Sequence, residues 1–326
     1  MAQRNFADEL CDAIQQETKL DEQSKNSLLR RLAALKKTKV NILITGATGC
    51  GKSSTINALF DTDKAKVGQG VDPETMDIAK YELDNIVLFD SPGLGDGKEA
   101  DLRHARNITD KLYEKDAAGN LLIDLVLVIL DGSSRDLGTS FELINNIIIP
   151  NLNGDNERLL VAINQADMAM KGRHWNAKEN CPEPPLLDFL NEKVQSTARR
   201  IFEATDMRVN PIFYAAGYKD GDDVQQPYNL SKLMLHILRH VKEEKRAVFI
   251  ADINRDSKMW EHDDRLENYR EEVKATLWES VVSGADKGAE IGRRIGGFFG
   301  SAGEAVGGLV GRVAGGVAGF FGSIFG

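Results

Sequence analysis

Cysteine is scarce in this chain of 326 residues. The three present, Cys11, Cys50 and Cys181, are too few and too scattered for a disulfide framework, which points to a reducing compartment. Positive charge is also in deficit. Forty-one Lys and Arg face 50 Asp and Glu, a formal net charge of −9. That excludes a protein whose main business is coating nucleic acid, because neutralising phosphates takes clustered cations. The opening MAQRNFADEL has no apolar core of the secretory kind, so a cytoplasmic location is expected. The uncharged stretch 313–326 is only 14 residues long, short for a membrane span of about 20.

What is present is globular in kind. Apolar residues at 42% and charged residues at 28% exclude wholesale disorder and collagen-like repeats. Glycine divides the chain in two: fifteen of the 30 lie before residue 284, and fifteen fall in 284–326. Residues 3–37 space Phe6, Leu10 and Ile14, then Leu28, Leu29, Leu32 and Leu35, as one or two amphipathic helices. Strands are expected at 40–45, 78–83, 86–90, 125–131, 159–164 and 211–215. Helices are expected after residue 52 and at 98–115, 137–148, 186–204 and 230–245. Alternating strands and helices imply an α/β fold with a mostly parallel sheet covered on both faces. The two-residue link Asp84-Asn85 permits only a hairpin, so one strand runs antiparallel. Residues 168–185 read as a surface insertion, and 252–272 as a charged helix leading into the tail. The expected units are N-terminal helices (1–37), an α/β domain (38–245), a charged helical linker (246–283) and a glycine-rich helical tail (284–326).

Gly46-Ala47-Thr48-Gly49-Cys50-Gly51-Lys52-Ser53, followed by Ser54, fits G-x-x-x-x-G-K-[ST] between a strand and a helix. Its glycines let backbone N–H groups surround a polyphosphate at a helix N-terminus. Lys52 would reach the β- and γ-phosphates, and the Ser53 hydroxyl would ligate Mg²⁺. Asp90-Ser91-Pro92-Gly93, 44 residues beyond Gly46, ends another strand; Asp90 would hold Mg²⁺ through water, and the Gly93 N–H would sense the γ-phosphate. Asn164-Gln165-Ala166-Asp167 is one substitution from N-K-x-D. Asp167 can accept from guanine N1–H and the exocyclic amine, which adenine lacks, and a site built for those donors rejects analogues without them. Ala216, one strand later, offers a backbone N–H for guanine O6.

In motif order, spacing and strand context, residues 38–245 resemble the Era-like and septin-like P-loop GTPases, including bacterial proteins labelled 50S-ribosome-binding GTPases. The resemblance implies GTP or GDP with Mg²⁺ as ligands and GTP hydrolysis as the activity. It also implies a switch threonine, for which Thr75 in Val71-Asp72-Pro73-Glu74-Thr75 is the candidate: a second Mg²⁺ ligand and γ-phosphate sensor. Two departures bear on rate. Leu94 stands where Ras-like relatives carry a water-orienting glutamine, and Gly49 where potassium-using relatives carry asparagine. Slow hydrolysis by the isolated chain is therefore expected, with septin-like relatives implying help from a homodimer across the nucleotide face. Arg103, Arg106 and Arg135 are finger candidates, although solvated surface arginines are the simpler reading.

Other features carry less. His236 and His240 are four apart on a helix but lack the glutamate of H-E-x-x-H. The basic and aromatic run 171–175 is a candidate contact for RNA or a protein, and Cys50 a candidate redox sensor. In the tail, glycines recur mostly every fourth residue, and Gly-Phe-Phe-Gly-Ser occurs at 297–301 and 319–323. Such a ridge admits a second helix closely, most often within membranes. In water each helical glycine costs about 0.8–1.0 kcal/mol relative to alanine. Membrane association through 284–326, as in dynamin-like or interferon-inducible GTPases, is one expected output. A ribosome or RNA partner is less favoured, since residues 246–326 carry ten Lys/Arg against twelve Asp/Glu. A GTP-stabilised scaffold without hydrolysis is the third alternative.

Overall fold

A computed structural model describes residues 6–18, 20–60, 66–68, 78–92, 97–220, 223–283 and 316–325. Five parallel strands make the centre of the sheet: β4 (Ile86–Asp90), β1 (Val40–Thr45), β5 (Leu125–Asp131), β6 (Leu159–Asn164) and β7 (Ile212–Phe213). On the β4 edge, β3 (Ala79–Glu82) runs antiparallel both to β4 and to the short outer strand β2 (Lys66–Gly68). The expected hairpin through Asp84 and Asn85 is thus present. All six residues of β1 and of β6 are buried, as strands covered on both faces require.

The pleat divides the core in two. Ile42 and Ile44 point into one cluster with α3 (Lys52–Leu59), α7 (Leu230–His240) and α9 (Tyr269–Ser283). Leu43, Val87 and Phe89 point into the other, under α4 (Lys98–Tyr113), the helical stretch from α5 (Gly138–Glu142) to Ile148, and α6 (Pro184–Thr205). The first face carries a second layer. Helices α1 (Phe6–Gln16) and α2 (Glu22–Leu35) bury Leu10, Ile14, Leu28 and Leu32 in that same cluster. Asp21 caps α2 by accepting from Ser24 N at 2.8 Å.

Two expected helices are shorter than the sequence spacing suggests. The 230–245 helix breaks after His240, because Val241 and Lys242 are extended; a separate turn, α8 (Glu243–Arg246), follows. Residues 252–268 do not form a helix leading to the tail. Asn and Asp side chains there bond nearby backbone N–H groups: Asn254 to Asp256 N (2.9 Å), Asp256 to Lys258 N (3.1 Å), Asp263 to Arg265 N (2.9 Å) and Asp264 to Leu266 N (3.1 Å). Those local bonds compete with the helical ladder and win.

This irregular segment ties the molecule together. Asp252, 3% exposed, accepts from three successive N–H groups of the β3–β4 turn: Asp84 (2.9 Å), Asn85 (2.7 Å) and Ile86 (2.8 Å). Asn85 in turn donates to the carbonyls of Leu35, Lys36 and Thr38 at the end of α2 (3.3, 3.1 and 2.9 Å), satisfying acceptors that a helix leaves open. Asn254 does the same for α3, bonding the carbonyls of Asn57, Ala58 and Leu59.

Of the glycine-rich tail, residues 284–315 and 326 lie outside the described residues. The remainder forms α10 (Gly316–Phe325), which packs on α1 and buries Val317, Phe320, Phe321, Ile324 and Phe325. Phe325 meets Trp260 edge-on at 5.5 Å, and Arg270 donates to its carbonyl at 3.0 Å. Among the described residues, no helix is long and apolar enough to cross a membrane. Gly319 and Gly322 face open space, where an added Cβ meets nothing within 4 Å. Replacing each with alanine should therefore stabilise the protein by about 1 kcal/mol per site, the helix-propensity difference. Thermal denaturation of G319A and G322A checks this, and a lowered Tm would show that the glycine face is covered.

Candidate functional site

The C-terminal ends of the parallel strands gather the sequence-selected residues. Strand β1 runs out at Thr45 into the loop 46–51, and α3 starts at Lys52. Gly51 must be glycine twice over. Its φ of +87° is left-handed, and a Cβ would lie 2.2 Å from Asn164 Nδ2. Lys52 arches over the loop and donates to the carbonyls of Gly46 (3.1 Å) and Ala47 (3.4 Å). Ser53 and Ser54 are exposed on the first turn of α3. One turn deeper, the Thr55 hydroxyl bonds the Gly51 carbonyl (2.8 Å) and the buried Tyr214 hydroxyl (2.7 Å).

Asp90 ends β4 in register with Ile44 of β1. Burial raises its carboxyl pKa, with the Lys52 ammonium pulling it back down. Its Oδ1 is buried and has no hydrogen-bond partner among the described residues. A buried carboxylate oxygen left open on Asp90 and a serine hydroxyl exposed at the start of α3 are the hard oxygen donors that suit a small divalent cation. The residues therefore fit Mg²⁺. Thr75, Gly93 and Leu94 lie outside the described residues.

The segment after β6 reaches back to the phosphate loop. Asn164 donates to the Cys50 carbonyl at 2.9 Å, and Gln165, left-handed at φ +58°, donates to the Gly49 carbonyl at 2.7 Å. Asp167 is 8% exposed, and burial raises its carboxyl pKa. The expectation for Ala216 needs correction. Its N–H already donates to Asn164 Oδ1 at 2.9 Å, so it is engaged in holding the asparagine and is not open to a base. The next residue, Gly217, is the remaining backbone position in that turn.

The lesser candidates resolve simply. Burial pushes the Cys50 thiol up to about 11, so it stays protonated and acts as a filler under Gly46. His236 and His240 stack at 6.5 Å, His240 Nδ1 bonds the His236 carbonyl, and burial pushes His236 down to about 4. No group of three or more metal-type side chains occurs among the described residues. Trp175 packs edge-on against Tyr228 at 5.5 Å, which anchors the basic run 171–175. Arg103, Arg106 and Arg135 are exposed, the first two on α4 and the third on the loop after β5. Sequence reasoning missed Tyr214 and Lys193. The Lys193 ammonium, on α6, donates to the carbonyls of Gly132 (2.7 Å), Ser134 (2.6 Å) and Asp131 (3.3 Å). No motif marks either residue.

Residues 41–165 match the family model of the 50S ribosome-binding GTPase. No curated protein matches the chain. Similar solved structures include LeoA, a bacterial dynamin GTPase from ETEC, at 15% identity and TM-score 0.38, covering 65% of this chain and 36% of LeoA. A probable GTP-binding protein engB is 24% identical with TM-score 0.33, covering 62% of this chain and 98% of that one. Toc33 from Arabidopsis thaliana, in complex with GDP and Mg²⁺, is 14% identical with TM-score 0.38, covering 66% and 85%. The chain thus spans about a third of the length of the bacterial dynamin. The matched segment 41–165 runs from β1 through Gln165 and contains both the loop 46–51 and Asp90.

Proposed function

We propose that the chain is a guanine-nucleotide switch that hydrolyses GTP slowly alone and faster when two copies meet. The observation that carries this is the joining of the two ends of the cleft. Asn164 and Gln165 are bonded directly to the carbonyls of Cys50 and Gly49, so base recognition and phosphate binding share one rigid frame. In this reading the loop N–H groups of 46–51 and the first turn of α3, through Ser54, cradle the phosphates. Lys52 leaves its two carbonyls for the β- and γ-phosphates. Ser53, Thr75 and Asp90 hold Mg²⁺, which neutralises charge developing on the phosphates. The Gly93 N–H senses the γ-phosphate. Asp167 accepts from guanine N1–H and the 2-amino group, and the backbone at Gly217 lies by O6.

The slow rate follows from Leu94, whose side chain cannot orient water. The membrane output acquires a condition. Because α10 buries its phenylalanines against α1 and Trp260, lipid can reach those side chains only after α10 leaves its seat. The test is GTP turnover per molecule across a hundredfold range of protein concentration, alone, with lipid vesicles and with ribosomes. Turnover should rise with concentration, and rise further with vesicles. A flat dilution curve sinks the homodimer, and stimulation by ribosomes alone would replace the membrane reading with the ribosomal one. Calorimetry should show GTP bound in preference to ATP.

A further inference from the structure

The loop after β5 contains none of the nucleotide motifs, yet it is held from within and from both sides. Asp131 Oδ1 accepts from Ser133 N (2.8 Å), Ser133 Oγ (2.7 Å) and Ser134 N (3.3 Å). The N–H groups of the loop are thereby drawn inward, and its carbonyls point away. Lys193 collects three of those carbonyls with the three donors of one ammonium. The opposite side of the loop presses on the base-recognition segment. Gly132 N donates to the Asn164 carbonyl at 2.7 Å, and a Cβ at Gly132 would fall 2.4 Å from that oxygen and 3.1 Å from the Gln165 carbonyl. The Ser133 hydroxyl, shared with Asp131, also reaches Gln165 Oε1 at 3.4 Å. Gln165 then grips Gly49 through its own Nε2.

We propose that Lys193 is a positioning residue for nucleotide binding: by clamping the loop 131–134 it sets Gln165 on the Gly49 carbonyl and so fixes the base end of the cleft against the phosphate loop. Glutamine at position 165 lacks the charge of the lysine that N-K-x-D would place there. A neutral amide holds one carbonyl with one ordinary hydrogen bond, and its rotamer has to be fixed by neighbours. The ammonium of Lys193 supplies charge-assisted bonds one layer further out. Burial lowers the Lys193 pKa, a standing cost of keeping a cation among carbonyls. The proposal rests on a guanine nucleotide occupying the cleft.

The test measures release of a fluorescent GDP analogue, chased with excess GDP, from the full chain, K193M, S133A and the double variant. K193M should release nucleotide about tenfold faster, equivalent to about 1.4 kcal/mol. It should raise the KM for GTP while leaving kcat at saturation unchanged. S133A should speed release by less, and the double variant should be no faster than K193M, because both changes act through the same loop. A clamp that only stabilised the fold would lower Tm without that shared effect on release. Ser133 is exposed, so S133A keeps the proposal open to refutation even if K193M fails to fold. Unchanged release from variants that bind GDP, or fully multiplicative effects, overturns the role of Lys193 alone. A wild-type chain that binds no guanine nucleotide overturns the underlying reading with it.

Discussion

Asp167→Asn is expected to weaken GTP binding by about a hundredfold to a thousandfold while improving the binding of xanthosine triphosphate. The carboxylate offers two acceptor oxygens side by side, matched to the N1–H and 2-amino donors of guanine. An amide replaces one acceptor with a donor, so one pair becomes N–H facing N–H inside a buried pocket. Neither group can then turn to water, since Asp167 is 8% exposed. Xanthine carries a carbonyl in place of the 2-amino group and so accepts from the new donor. Calorimetry of the two triphosphates against both proteins reads the reversal directly. Equal loss of both nucleotides would mean that position 167 acts on the fold and not on the base. Acidity should mimic the substitution in part. Burial raises the Asp167 pKa, so binding through the carboxylate weakens as pH falls, beginning above the ordinary carboxylate range.

The second large effect falls on stability. Asp252→Ala leaves the N–H groups of Asp84, Asn85 and Ile86 without their acceptor. The substitution also removes the burial penalty of the charge, which offsets part of the loss. Unmade buried hydrogen bonds cost roughly 1–3 kcal/mol each, so a net loss of about 3 kcal/mol is expected in urea denaturation at pH 7. Asp252→Asn keeps one oxygen for two of the donors and should cost less. The pH dependence has a definite sign. Burial pushes the Asp252 carboxyl up to about 6, against an ordinary 3.8. The folded protein therefore holds this proton more readily than the unfolded chain does. Its contribution is fully present below about pH 4 and is lost as pH rises through about 6. D252N should remove that component from the pH–stability curve, and a curve identical to wild type would show that the Asp252 carboxyl titrates alike in the folded and unfolded chain.

The central strands were legible because each is a short, mainly apolar run ending in a polar residue. Strands β1, β4, β5 and β6 fall where the sequence places them, their core positions demanding burial whatever surrounds them. Strand β7 is shorter than its apolar run, with only Ile212 and Phe213 paired in the sheet. The segment 252–268 carried its own warning. Its Asn and Asp residues favour turns, but the density of charge there also suits a solvated helix, and only the contacts with α3 and the β3–β4 turn decide between them. The loop 46–51 between β1 and α3 was readable from spacing alone. The inward roles of Asn164 and Ala216 were not, because a side chain that holds another loop has the same sequence signature as one that meets a ligand. Lys193 was invisible for a similar reason: a lone lysine on a helix gives no sign that three carbonyls converge on it.

The packing of α10 on α1 joins the beginning of the described chain to its end, and this has a consequence for synthesis. Leu10 and Ile14 are translated well before the helix that packs on α1. At about 5–20 residues per second, roughly 15–60 s separate the two. Throughout that interval the nascent protein displays an apolar seat sized for Phe320, Phe321 and Ile324. Chains halted before Gly316 would keep that seat open, which makes them natural clients for chaperones.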